Sequence, residues 1–359
     1  MEASETTPKI RIAIIGAGLI GPRHAEHVVA NRKTELVAIV DPDPAGRRLA
    51  EELNVQHYSS TTDLIAAGDV PHAAIVCTPN HTHGAVATQL SAVGVHVLLE
   101  KPLTADIASG EALVAELARS QAKALVGHHR RFSPYIVAAK AVLGSGSLGR
   151  VLAINGLWTL YKPPGYFDPP GDWRRGDAGG VILINMIHEV DLLHHLFGPI
   201  ARVHAESIAR QRGHRAEEGA AMTIRFRSGA VGTFLISDAT PSPFNFESGT
   251  GENPLIPQTG KDFYRIFGTE GTLSVPDMTL WRYEGASKSW HSPLMGETIP
   301  TTATVPFAEQ LAHFCRVLRA EEPPNCTPEA GLAALKVCAA IKDALRDNAT
   351  VEVGEYSLG

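Results

Sequence analysis

Ile10-Arg11-Ile12-Ala13-Ile14-Ile15-Gly16-Ala17-Gly18-Leu19-Ile20-Gly21 is the stretch that decides the fold. Its β-branched run predicts a strand, its glycines a tight turn, and the residues that follow a helix. The rhythm then repeats. Leu36 to Val40 closes on Asp41, Ala73 to Cys77 on Thr78-Pro79, Val95 to Leu99 on Glu100-Lys101-Pro102, and Ala124 to Val126 makes a fifth run. Strands separated by helical segments of this length require crossover connections, so an α/β domain with a doubly wound parallel sheet is expected over residues 8–127.

Beyond Gly127 the texture changes. Val151 to Leu160, Ile200 to Ile208, Ala220 to Phe226, Ala230 to Ser237 and Tyr264 to Phe267 read as longer strands, with Ser228-Gly229 a hairpin signal between two of them. Helices are expected near Pro134 to Leu143, Leu183 to Leu196, Pro306 to Leu318 and Pro328 to Arg346. Residues 128–359 are therefore expected to form a second α/β domain around a large, mostly antiparallel, open sheet. Pro163 to Gly171 and Pro241 to Gly260 read as loops too long for simple turns, and loops of that length are often functional.

Composition narrows the function. With 359 residues, 44% hydrophobic and 19% charged, the chain is an ordinary globular protein large enough for two cores. A net charge of -6 without a basic run gives no footprint for nucleic acid or an anionic membrane, so the expected partner is a small molecule. The polar start, Met1 to Pro8, lacks the basic flank and apolar run of a secretory signal, and a cytoplasmic location is expected. Cys77, Cys315, Cys326 and Cys338 are scattered and read as reduced core thiols.

Gly16 to Gly21 fits G-x-G-x-x-G after a strand and at the opening of a helix, the context that gives the motif meaning. Gly16 permits the turn, Gly18 lets the backbone approach a pyrophosphate, and Gly21 allows helix and strand to pack closely. Leu19 and Ile20 lie at the helix N-terminus, whose unpaired N–H groups suit an anion. Asp41, 20 residues after Gly21, stands where a carboxylate accepts from both ribose hydroxyls and repels a 2′-phosphate, so NAD is the expected cofactor. Thr78, Pro79 and Asn80 end another strand at the same edge, and His81 and His83 are expected to line that pocket.

Together with this loop, Thr78-Pro79-Asn80, Glu100-Lys101-Pro102, Gly127-His128-His129-Arg130-Arg131, Trp173-Arg174, and Gly179-Gly180 followed by His188 resemble the glucose-fructose oxidoreductase/inositol dehydrogenase (Gfo/Idh/MocA) family over nearly the whole chain. The resemblance implies a Rossmann domain, an α/β domain whose open sheet mediates assembly into a homodimer or homotetramer, and no metal. It also implies that Lys101 contacts the nicotinamide ribose and the substrate hydroxyl, with Glu100 beside it, and that Trp173 and Arg174 reach the cofactor. The family's base is a histidine followed three residues later by Asp, which His188 and Asp191 reproduce. Family members carry an Asp four residues before that histidine. Here the position is Ile184, with Asn185 next to it. Asn185 and His188 share one helical face, so an uncharged amide is expected to orient substrate or imidazole while His188 takes the proton.

The leading expectation is an NAD-dependent dehydrogenase acting on a CH–OH group of a sugar, cyclitol or related cyclic polyol. A second is a dehydrogenase of carboxylated cyclic diols, suggested by basic residues such as His129 and Arg131, since arginine binds carboxylates bidentately. A third is a non-catalytic NAD-binding sensor or scaffold.

Overall fold

The computed structural model describes residues 8–177, 179–285 and 288–359, so the reading of the polar start falls, up to residue 7, outside them. The chain divides into two compact units. The first comprises the described residues up to Phe132 with Thr304–Leu335 and Gly359; the second comprises Ser133–Ala303 with Lys336–Leu358.

In the first unit, strands β1 (Ile10–Ile15), β2 (Thr34–Val40), β3 (Gln56–Tyr58), β4 (Ala73–Val76), β5 (His96–Leu99) and β6 (Ala124–Val126) alternate with helices α1 (Gly21–Ala30), α2 (Pro44–Glu52), α3 (Thr61–Ala66), α4 (His83–Ala92) and α5 (Ile107–Arg119). All strand pairings are parallel, in the order β3-β2-β1-β4-β5-β6. The order reverses beside β1, and ligands of such sheets bind outside the strands' carboxyl ends at that reversal. Alternation in β1 supplies two cores: Ile12 and Ile14 face one, Ala13 and Ile15 the other.

The expected division at 127/128 assigns residues 304–335 to the second domain, whereas they complete the cores of the first unit. Helix α9 (Pro306–Leu318) inserts Leu311, Phe314, Cys315 and Val317 among Ile12, Ile14, Ile39 and Ile75. Cys326, Ala330 and Leu332 join the core on the opposite face. Burying a side chain the size of Leu311 or Phe314 stabilises by about 1.5–3 kcal/mol, enough to fix where the segment docks.

The second unit opens with α6 (Pro134–Gly144) and β7 (Val151–Thr159). After α7 (Ile187–Phe197) come β8 (Ile200–Ser207), β9 (Gly219–Phe226), β10 (Val231–Ser237), α8 (Phe246–Thr250), β11 (Tyr264–Gly268), β12 (Thr272–Val275), β13 (Thr279–Tyr283) and β14 (Leu294–Thr298). Helix α10 (Pro328–Asp347) and β15 (Val351–Glu352) close the chain. The sheet runs β14-β13-β12-β11-β7-β10-β9-β8-β15, antiparallel throughout except for β7 beside β10. Ser228-Gly229 turns β9 into β10, with Gly229 at φ 91°. On the covered face Ile154, Trp158, Phe234, Ile236, Tyr264 and Ile266 are buried. Gly156 makes room there: a Cβ would lie 2.4 Å from the Phe234 ring. The opposite face leaves Val231, Leu235 and Phe267 exposed.

Two local expectations change. Pro241 to Gly260 contains α8, capped by the Asn245 side chain, which accepts from the Ser248 N–H. The helix expected from Leu183 begins instead with a π-helical turn, Ile182–Met186, before α7. Such turns re-aim the side chains they carry. Among the described residues no helix is long and apolar enough to cross a membrane.

Candidate functional site

At the carboxyl edge of the parallel sheet, Gly16 adopts φ 99°, and a Cβ on it would come within 2.8 Å of the Cys77 carbonyl group. Only glycine lets the loop after β1 lie against the end of β4. A Cβ on Gly21 would fall 2.1 Å from the Gly16 oxygen, whereas one on Gly18 meets nothing within 4 Å. The first and last glycines thus shape the turn, and the middle one faces open space. No side chain caps the start of α1 at Ile20, and Leu19 is almost fully exposed. The cradle fits a pyrophosphate on both counts: bare helix N–H donors and room beside Gly18.

Asp41 is held by the same loop. Its Oδ2 accepts the Ala17 N–H at 2.6 Å and its Oδ1 the Asp43 N–H at 2.8 Å. A carboxylate has about four lone-pair sites, so capacity remains for a diol. Thr78 accepts from the Thr82 hydroxyl at 2.7 Å, Pro79 precedes a short turn over Asn80–Thr82, and Asn80 and His81 are exposed. His83 differs from the expectation. Its ring is fully buried, with Nδ1 and Nε2 each 2.9 Å from a carbonyl, those of Pro102 and Thr78. Burial, opposed by these carbonyls, lowers its pKa; a neutral imidazole has one N–H, so one contact is a hydrogen bond at a time. The ring ties the strand ends together and offers no surface to a ligand.

Glu100 and Lys101 follow β5. The Glu100 carboxylate turns inward: Oε1 faces His24 Nε2 at 2.8 Å, and Oε2 accepts the Lys101 N–H at 3.2 Å. Burial alone would raise its pKa, but the His24 hydrogen bond and charge, with His129 and Lys101, hold it at about 2. Glu100 is thereby a permanent anion under the half-buried Lys101. Phe307 of α9, absent from the sequence reading, gathers this corner: His129 stacks on it at 4.1 Å, His24 meets it edge-on at 5.2 Å, and the Arg23 guanidinium lies 4.1 Å above it. His129 and Arg131 were expected to meet substrate; both are buried in the first unit, and Arg131 donates to the Asn325 carbonyl. Those contacts fasten the 304–335 segment to the sheet.

In the second unit the parallel pairing of β7 with β10 brings two carboxyl ends together. Lys162, shortly after β7, donates its backbone N–H to the Asp238 carbonyl at 2.9 Å, and its Nζ lies 3.3 Å from Asp238 Oδ2. Lys162 Nζ also donates to Asn185 Oδ1 at 2.6 Å, and its charge sits 4.8 Å from the Tyr166 ring centre and 5.6 Å from that of Trp158. Arg212 donates to Asp238 Oδ1 at 2.5 Å, and Trp158 Nε1 to Glu247 Oε2 at 2.8 Å. Burial, opposed by Asp238 and Glu247, lowers the pKa of Lys162 to about 8. Asn185 occupies the π-helical turn and His188 the first turn of α7, both buried. Arg174 donates to the Tyr166 carbonyl at 3.0 Å and stacks on the Tyr166 and Trp173 rings at 4.2 and 5.2 Å, while Trp173 is half exposed. Sequence reading missed Lys162, Asp238 and Arg212, whose meeting depends on strand pairing.

The sequence and the fold are similar to those of known proteins. The family model described as an oxidoreductase family with an NAD-binding Rossmann fold matches residues 10–128, and its companion, a C-terminal alpha/beta domain, matches residues 140–353. The myo-inositol 2-dehydrogenase of Thermotoga maritima is 25% identical over 360 residues, covering 96% of this chain and 99% of that protein. An inositol 2-dehydrogenase of Rhizobium meliloti is 31% identical over 192 residues, covering 53% of this chain and 55% of that one. An oxidoreductase from Agrobacterium radiobacter, solved with NAD+, L-tartaric acid and magnesium, shares the fold with a TM-score of 0.80 at 17% identity, covering 96% of this chain and 99% of its own.

Proposed function

Because this chain belongs to the Gfo/Idh/MocA oxidoreductase family and carries its NAD-binding Rossmann fold, we propose that it is a dehydrogenase transferring hydride between NAD and a secondary alcohol of a cyclitol, sugar or related cyclic polyol. The observation that carries the reading is the full-length similarity to an inositol dehydrogenase, with a glycine cradle and Asp41 suited to the dinucleotide. Bound NAD+ supplies the hydride acceptor. The Lys101 ammonium steadies the substrate oxygen as negative charge develops on it, the His188 imidazole takes the hydroxyl proton, and Asn185 orients the substrate through its amide. Asn185 cannot itself accept the proton at neutral pH, so the base role falls on His188. The open face of the nine-stranded sheet, which exposes Val231, Leu235 and Phe267, supports a homodimer or homotetramer.

The test is NAD+ reduction followed by absorbance across a panel of cyclitols, sugars and cyclic acids, with Lys101→Met and His188→Ala beside the wild type. Turnover of at least one cyclic polyol is expected, falling by orders of magnitude in either variant while NAD affinity changes much less. NAD binding without turnover of any alcohol would favour the sensor reading instead.

A further inference from the structure

Lys162 is a buried cation that the chemistry above does not use. An ammonium has three donors and no acceptor, so the Asn185 oxygen must face it and the Asn185 NH2 must face away. Among the described residues that amide nitrogen makes no hydrogen bond, and Asn185 retains 9% exposure. Nearby, Asp238 Oδ1 accepts from Arg212 and Oδ2 faces Lys162. What Asn185 can offer a substrate is therefore donors only.

We propose that Lys162 is a positioning residue that locks the Asn185 amide with its N–H groups toward the substrate, so that this subsite reads an acceptor oxygen and favours a ring bearing a carboxylate over an uncharged polyol. The inference rests on the reading of Asn185 as substrate-facing. A carboxylate presents acceptors alone and binds donors more strongly than a hydroxyl does. The lock depends on the charge of Lys162. Its neutral amine has a lone pair, accepts from the amide, and lets Asn185 turn over. The charged and titratable groups around Lys162 are Asp238 after β10, Arg212 between β8 and β9, Glu247 on α8 and Tyr166 in the loop after β7. Asp238 and Glu247 favour the charged amine, while burial and Arg212 oppose it.

The experiment is calorimetric titration of the NADH-bound protein with D-glucuronate and, separately, with myo-inositol. Wild type, Lys162→Met, Lys162→Arg and Asn185→Ala are compared at about pH 7 and about pH 9.5, either side of the Lys162 titration. Wild type is expected to bind glucuronate at least about tenfold more tightly than myo-inositol at the lower pH. That preference disappears in Lys162→Met and Asn185→Ala and is retained in Lys162→Arg. At the higher pH wild type loses it and Lys162→Arg keeps it, because a guanidinium stays charged and still cannot accept. A merely structural lysine gives no such split between the two pH values. Binding of neither probe, equal binding of both, or a preference that survives Lys162→Met overturns the proposal. His188→Ala in single-turnover hydride transfer tests the broader reading separately. Unimpaired transfer there would remove this helix from the chemistry, whereas impaired transfer with an unchanged preference in Lys162→Met would reject the lock alone.

Discussion

Replacing Glu100 by Gln keeps the side chain's shape and one acceptor oxygen but removes the negative charge that faces His24 at 2.8 Å. Both partners are buried, so solvent and salt screen the pair little. A carboxyl held at about 2 instead of 4.5 favours its ionised form by about 3 kcal/mol, which at neutral pH is a contribution to folding. Because the folded value lies below the unfolded one, the contribution is complete above pH 4.5 and is lost as the pH falls toward 2. In a unit of this size about 3 kcal/mol corresponds to roughly 6–12 °C in Tm. Thermal unfolding of wild type and Glu100→Gln, followed by circular dichroism from neutral pH down to about 3, reads both the size and the pH dependence. The variant is expected to melt lower at neutral pH, with the gap narrowing below 4.5. Equal melting at neutral pH, or a gap that stays constant on acidification, would refute the argument that the His24–Glu100 pair holds this corner.

Asp41→Ala is expected to weaken the preference for NAD over NADP, because the repulsion of the 2′-phosphate goes with the carboxylate; direct titration of both dinucleotides measures the ratio. Gly16→Ala and Gly18→Ala should separate folding from binding: the first forces a Cβ against Cys77 and lowers Tm, while the second meets open space and keeps Tm but weakens NAD binding. Trp158→Phe removes the donor to the buried Glu247 and should cost about 1–3 kcal/mol in denaturant unfolding, with no change in NAD affinity.

The parallel sheet and its nucleotide edge were legible because their signals are local: β-branched runs, Gly16 to Gly21, and Asp41 at a strand's end. Strands β12 to β14 were not, since four or five residues between turns carry too little periodicity to separate from loop. Helix α9 showed its apolar stripe, but a stripe carries no address, and only packing reveals that it belongs with β1. The helix that carries His188 was legible, whereas its opening π-helical turn was not, because nothing in Ile182 to Met186 distinguishes an i→i+5 bond from an ordinary one. Lys162 looks like a solvated lysine ahead of two prolines. It is buried because β7 and β10 run parallel, a long-range fact that no spacing around residue 162 records. His83 failed in the other direction: its place beside Thr78 suggested a ligand contact, and two main-chain carbonyls take its ring.

The docking of residues 304–335 on the first sheet bears on how the protein is made. A ribosome that has released residues 8–132 has produced every strand of that sheet but not Leu311, Phe314, Cys315 or Val317, which line its core. At about 5–20 residues per second, the interval before those side chains emerge is on the order of ten seconds or more. Through that time one face of the nascent sheet, packed only in part by α1 and α2, lacks its remaining apolar cover while the whole of 133–303 is synthesised. Maturation therefore cannot proceed strictly from the N-terminus onward, and a fragment ending near residue 132 is expected to be captured by chaperones or to aggregate when expressed alone.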